Sequence, residues 1–321
     1  MTTFGDGVFQ YGGQPVGSAP IPKRGGRAWF VDGTNGLDGN SGKSPSDAFA
    51  SIGQAVEDNP DLQEFDTVYV FPKTMAVTDT DPGSYAETVT ISTPHLSLIG
   101  VGAGPVQAGL PQVKIGAGST AMLTIAAPGV TVENMGFNGA SSTGGGIRLL
   151  DDGGSTYSVS GVVIRGCHFK NCKCHATNGS LGGAIYWTSS GGGWQILIEG
   201  NRFYKNVADI VLVGTGGSRP QDVVIRGNVF SGPAASVDVN IYSGGSGFDG
   251  VIIDHNVFQA LPAISSGTNA QFLMLTGSVG VLSWNAFGGG SETFGAAGSN
   301  LVPTTVMICG NYQDGALIAR T

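Results

Sequence analysis

One short phrase recurs six times between Val162 and Asp314: alternating apolar residues, a small or polar bend, then asparagine and an aromatic. The copies are VVIRGCHF from Val162, ILIEGNRF from Ile196, VVIRGNVF from Val223, VIIDHNVF from Val251, GVLSWNAF from Gly280 and VMICGNY from Val306. A looser copy, VTVENMGF, begins at Val130. The asparagines Asn201, Asn228, Asn256, Asn285 and Asn311 stand 26 to 29 residues apart. A unit of that length cannot bury its own apolar side, so successive coils must stack and share one core. The chain is therefore expected to be a solenoid.

Aligning the copies gives columns. Val132, Ile164, Ile198, Ile225, Ile253, Leu282 and Ile308 form one aliphatic column, and Val130, Val162, Ile196, Val223 and Val251 form a second. Side chains on a strand alternate between faces, so both columns point inward. The aromatic column is Phe137, Phe169, Phe203, Phe230, Phe258 and Phe287, with Tyr312 assigned to it by a shift of one. The asparagines are expected to form an amide ladder at the bend of every coil. An outward column reads Glu133, Arg165, Glu199, Arg226, Asp254, Ser283, and its alternating signs suit neighbours on stacked strands. A second outward column is apolar: Val163, Leu197, Val224, Ile252, Val281 and Met307. Left in water that stripe is unfavourable, so it is expected to be an interface of a homotrimer, with cover by a local loop as the alternative.

Composition agrees with many short strands and tight turns. Glycine supplies 55 of 321 residues, about twice the usual share, and charged residues only 12%. The net charge of −8 disfavours nucleic acid and anionic membranes as partners. The start, MTTFGDGVFQ, shows no secretory leader, and no apolar run reaches the ~18 residues needed to span a bilayer. Four cysteines, three clustered and one remote, do not make a disulfide framework, so synthesis in a reducing cytoplasm is expected.

These phrases resemble the right-handed parallel β-helix of the pectate-lyase-like superfamily. FYKN at Phe203–Asn206, GGAIY at Gly182–Tyr186 and the opening segment from Ala28 to Val56 are similar to phrases of phage and bacterial β-helix proteins. The resemblance implies an all-β fold with a short capping helix. Ser51 followed by Gln54 places that helix near Ile52 through a capping box. The expected organisation is an extended arm over 1–27, a first strand and cap over 28–58, and about ten coils over 59–321. The arm has no period and contains glycine and proline throughout, which predicts no regular structure. Together with the opening segment it is similar to phage head-decoration proteins. That likeness implies docking of Phe4, Val8, Phe9, Tyr11 and Val16 onto a major capsid protein, on the exterior of a virion.

Candidate chemistry is sparse. The Asn-Thr-Asp, Gly-His-Gly and Arg-x-Lys motifs of polygalacturonase-like enzymes are missing. Asp151–Asp152 sits in DDGGS, a turn composition. Ile252–His255, IIDH, resembles a pectate-lyase hallmark, but Asp254 already belongs to the charge column. Cys167, His168, Cys172, Cys174 and His175 are soft ligands without a CxxC pair, so buried thiols are expected rather than a metal. DGTNGLDGN at Asp32–Asn40 lacks the distal bidentate glutamate of a calcium loop and reads as a turn. No cofactor and no catalytic group is expected. The preferred expectation is a non-enzymatic capsid decoration protein. The alternative is a tailspike, receptor-binding protein or polysaccharide depolymerase with a glycan as its partner.

Overall fold

The computed structural model describes residues 10–11, 14–15, 26–74, 83–102, 109–115, 121–139, 144–150, 159–172, 182–189, 193–214, 219–231, 239–245, 247–259, 270–274, 277–288, 294–295, 300–313 and 316–317. The chain is an all-β parallel β-helix whose coils each place strands on three sheets. The first sheet stacks 10 strands from Ala28–Val31 to Val306–Cys309. The second stacks 10 from Ser84–Ala86 to Ala316–Leu317, and the third 9, including Val89–Ile91 and Ala208–Gly214. Ten strands at ~4.8 Å give an axis of about 50 Å. Parallel crossovers of this kind are right-handed.

The register follows the columns read from the sequence. Val132, Ile164, Ile198, Ile225, Ile253, Leu282 and Ile308 are successive strand partners in the first sheet. Leu98, Val68 and Trp29 continue the column toward the N-terminal end. Phe137, Phe169, Phe203, Phe230, Phe258 and Phe287 stack in the second sheet, with ring centroids 4.6 to 5.1 Å apart and almost parallel planes. One continuous core holds these rings and both aliphatic columns. In the second aliphatic column, Gly280 stands between Val251 and Val306. A Cβ there would lie 2.0 Å from the Val251 carbonyl oxygen, so the position admits nothing larger than glycine.

Tyr312 does not belong to the aromatic column. Its strand partner is Ala286, and Gln313 is the partner of Phe287. A strand position one residue off the inward one faces outward, and Tyr312 is exposed.

The asparagine ladder is complete from Asn201 to Asn311. In each rung the backbone N–H and the side-chain amide of one asparagine donate to the carboxamide oxygen of the next, at 2.9 to 3.1 Å. The same amide group also donates to a strand carbonyl, Ile164 for Asn201 and Ile198 for Asn228. Just before the ladder position of each coil the backbone turns left-handed, and glycine holds that place before Cys167, Asn201, Asn228 and Asn311, where Gly166, Gly200, Gly227 and Gly310 have φ of 62 to 64°. Glycine adopts that conformation without a Cβ penalty, which explains its hold on the column.

At the N-terminal end a helix of five residues, Ile52–Val56, places Ile52, Ala55 and Val56 in the core. Ser51 Oγ accepts from the Gln54 backbone N–H as a cap should. The reciprocal half of the capping box is replaced: the Ser51 N–H donates to Asp38, and Glu87 accepts from the Ile52 and Gly53 N–H groups. In the arm, Gln10–Tyr11 pairs antiparallel with Gln14–Pro15, so two short strands form where none was predicted. Phe4, Val8, Phe9 and Val16 lie outside the described residues.

Candidate functional site

The corner between the first and second sheets carries the most unusual surface. Its left-handed column runs Gly166, Gly200, Gly227, His255, Trp284, Gly310, and His255 and Trp284 keep the same conformation, φ 54° and 55°. A bulky side chain in that region is strained and persists where the surroundings or a function hold it. Trp284 is nonetheless 53% exposed. Its ring lies over Gly310, where a Cβ would come within 2.7 Å of it. Tyr312, one coil on, meets it with centroids 6.4 Å apart at 37°. Met307, Ile252 and Val257 extend the exposed apolar surface on either side of the corner.

One coil before Trp284, His255 Nδ1 lies 2.9 Å from Asp254 Oδ2. The His255 ring is 66% exposed and the Asp254 carboxylate largely covered. A carboxylate on one ring nitrogen fixes the imidazole and leaves the other nitrogen for proton transfer. Further down the charge column, Arg226 Nε pairs with Glu199 at 3.0 Å and Arg165 Nη2 with Glu133 at 2.8 Å. The alternating register is as predicted, though it closes as separate pairs, with Asp254 turned to His255. Glu199 and Asp254 sit two strands apart, about 10 Å, a little beyond the roughly 6.5–9.5 Å of an inverting carboxyl pair. His255 with Asp254 is therefore the better acid–base group.

The apolar outward stripe is one register column, as predicted: Val163, Leu197, Val224, Ile252, Val281 and Met307 are successive partners. Ile252 and Met307 are exposed and the other four half-buried, so exposure rises toward the C-terminal coils beside Trp284.

The soft-ligand cluster is split by the strand. Cys167 is buried at a ladder position, its N–H donating to Asn201 Oδ1, while His168 takes the opposite face of its strand. Burial pushes the Cys167 thiol up to about 12 and raises Cys172 as well, so neither is a ready thiolate. Cys174, His175, Asp151 and Asp152 lie outside the described residues. In the Asp32–Asn40 segment, Asp32 accepts from the Thr34 and Asn35 N–H groups, and Asp38 from Ala50 and Ser51. Those bonds hold turns, as the composition predicts.

Sequence reasoning missed three groups. Trp284 and Tyr312 were legible as an aromatic in a glycine column and an aromatic at the wrong parity. Asp209 is buried between two asparagines, its carboxylate accepting from Asn206 at 2.9 Å and Asn240 at 2.6 Å. Burial lifts it to about 7 against the pull of those amides. His168, on the outer face of the second sheet, is also buried, with an Nδ1 that has no partner among the described residues.

No protein-family model matches the chain, and no curated protein does. Solved structures of similar fold include a lacto-N-biosidase of Eubacterium ramulus, at 12% identity over 91% of this chain and 68% of that one, with a TM-score of 0.38. A pectin methylesterase in complex with a hexasaccharide matches at 10% identity over 91% of this chain and 90% of that one, TM-score 0.43. The protein YbhC of Escherichia coli matches at 11% over 94% and 88%, TM-score 0.47. That set, which includes two carbohydrate-active enzymes, runs against the expectation of a non-enzymatic chain without itself showing an activity for this one. At such identities the likeness is one of fold, and the chemistry has to come from this chain's own residues.

Proposed function

We propose that this β-helix binds and acts on an extended polysaccharide at the corner formed by Asp254, His255, Trp284 and Tyr312, in the manner of a tailspike or polysaccharide depolymerase. The observation that carries the reading is Trp284. A tryptophan occupies a left-handed position that glycine holds in four other coils, and it presents half its surface to solvent beside a second exposed aromatic. Aromatic faces offer an apolar platform of low conformational entropy, which suits the C–H faces of sugar rings. The strain at Trp284 makes sense when the ring is needed outside. His255, oriented by Asp254, is then the group placed to move a proton on the sugar held by that platform.

The capsid-decoration reading loses its preference. The exposed aromatics beside the Asp254–His255 pair are what a glycan-acting surface requires.

The experiment is a panel of bacterial surface polysaccharides, scored by binding and by the release of shorter chains. Wild-type protein should bind and shorten at least one of them. Asp254→Asn and His255→Gln should stop cleavage while keeping binding, and Trp284→Gly should weaken binding. Cleavage that survives His255→Gln at full rate would remove His255 from the chemistry. Failure to bind any glycan, or unchanged binding by Trp284→Gly, would overturn the assignment of the platform.

A further inference from the structure

The outer face of the second sheet has a charge character unlike the rest of the molecule. The chain carries a net charge of −8, yet none of the described strands of this sheet contains an acidic residue. Its cations converge instead. His168 and Arg202 are strand partners in one outward column, and Lys170 stands two residues along on the same face as His168. Lys205 follows at the adjoining corner, its ammonium 5.2 Å from the Tyr204 ring centroid. On the first sheet, by contrast, Arg165 and Arg226 each close on a glutamate.

His168 supplies the second observation. The residue is 8% exposed, and its Nδ1 is buried without a hydrogen-bond partner among the described residues. A buried polar atom left unpaired carries a desolvation penalty that a ligand can remove. Burial first, then Lys170 and Arg202, depress its basicity to about 4, so at neutral pH the ring is uncharged. One of its two nitrogens is then a donor and the other an acceptor, and two fixed cations stand beside it. Such a set favours an oxyanion: a guanidinium fork, an ammonium and a ring N–H are all donors to it.

The same outward column continues through Val229, Val257 and Ala286 to Tyr312. Five strand spacings, about 24 Å, separate His168 from Tyr312. A chain lying along the axis on this face therefore meets the aromatic platform at one end and the cations at the other.

We infer that His168, Lys170 and Arg202 form an oxyanion subsite on the second sheet, which receives a carboxylate, sulfate or phosphate substituent of the polysaccharide. The site itself stands on the arrangement of these three residues. Its assignment to a glycan rests on the function proposed above.

The test uses the full chain and four small probes: inorganic phosphate, inorganic sulfate, glucuronate, and glucose as the uncharged control. Binding is read from the His168 ring signals by NMR and from calorimetry at fixed ionic strength. At least one anion should bind saturably while glucose does not, and the tightest identifies the substituent. Arg202→Gln, an exposed position, should weaken that anion about tenfold, the size expected for one charge-assisted contact. Lys170→Gln should weaken it in the same direction. Anion affinity unchanged in both variants, or no saturable anion binding to the wild type, would overturn the inference. Binding of a neutral glycan with a silent His168 would sink the subsite and leave the platform standing. Anion binding without any glycan binding would do the reverse.

Discussion

Asn228 donates both its backbone N–H and its side-chain amide to one oxygen, Oδ1 of Asn256, at 2.9 and 3.0 Å. The two residues are 28 apart in sequence and fully buried. This bifurcated contact ties successive coils together at one corner, across separations of 26 to 29 residues. A coil that gained or lost length at this corner would leave two buried donors and a carbonyl unsatisfied.

Replacing Asn256 by leucine should therefore be severe. It removes the acceptor of Asn228 and the donor to the Ile225 carbonyl, and each orphaned buried group costs about 1–3 kcal/mol. A fall in the denaturation midpoint equivalent to about 3 kcal/mol or more is expected. The converse change is Cys167→Asn. Cys167 already lends its N–H to Asn201, and its Sγ approaches the Val132 carbonyl, the counterpart of the carbonyl Asn201 serves one coil later. An asparagine there should add a rung and about 1 kcal/mol, read as a higher melting temperature. A lower one would mean the first rung lacks room.

The phenylalanine stack gives a second prediction. Phe230 is 2% exposed and lies between Phe203 and Phe258 at 4.8 and 4.6 Å. Phe230→Ala should cost about 3–5 kcal/mol, since flanking rings fixed by the backbone ladder cannot close the void. Equilibrium unfolding with and without the substitution measures it, and a loss below about 1 kcal/mol would contradict a dry, close-packed stack.

Much of this fold is legible in the sequence. Every coil must put the same residue type at the same inward point, so Ile225 and its partners, the Phe column and the Asn ladder repeat visibly. Tyr312 was misplaced because the aromatic was matched instead of the asparagine. The ladder bonds set the register, and counting from Asn311 puts Tyr312 outside. The site was less legible. Trp284 was visible as an intruder in a glycine column, but nothing in the sequence says that its ring is exposed. The cationic face was hidden by reading charge as one net value for the chain. Asp209 escaped because its partners Asn206 and Asn240 come from the corner before it and from the next coil, and no period marks that contact.

Two buried groups predict an unusual dependence of stability on pH. The folded state holds Asp209 near 7, above the ordinary carboxylate value of 3.8, so it binds that proton more tightly than the unfolded chain. Its contribution is complete below about 4 and declines as pH rises toward about 7. His168 acts oppositely, since its folded value of about 4 lies below the ordinary 6.5. Stability from His168 is lost as pH falls from about 6.5 to about 4. In wild type the two slopes offset each other over that window. Asp209→Asn should unmask a rise in melting temperature with pH, and His168→Gln a decline. Parallel profiles for both variants and wild type would show that neither group titrates in the folded state as described.

Trp284 separates function from stability most directly. Left-handed backbone disfavours any side chain but glycine, so Trp284→Gly relieves strain of about 1 kcal/mol and restores the residue found at Gly227 and Gly310. The ring is more than half exposed, so removing it forfeits little burial, mainly the contacts over Gly310 and toward Tyr312. The variant should melt at the same temperature as wild type or slightly higher, while its affinity for the polysaccharide falls. A residue kept for packing would give the opposite pattern, with lower stability and unaltered binding. Melting and binding measured on the same preparation therefore decide whether this tryptophan is a structural cover or a platform retained at the expense of the fold.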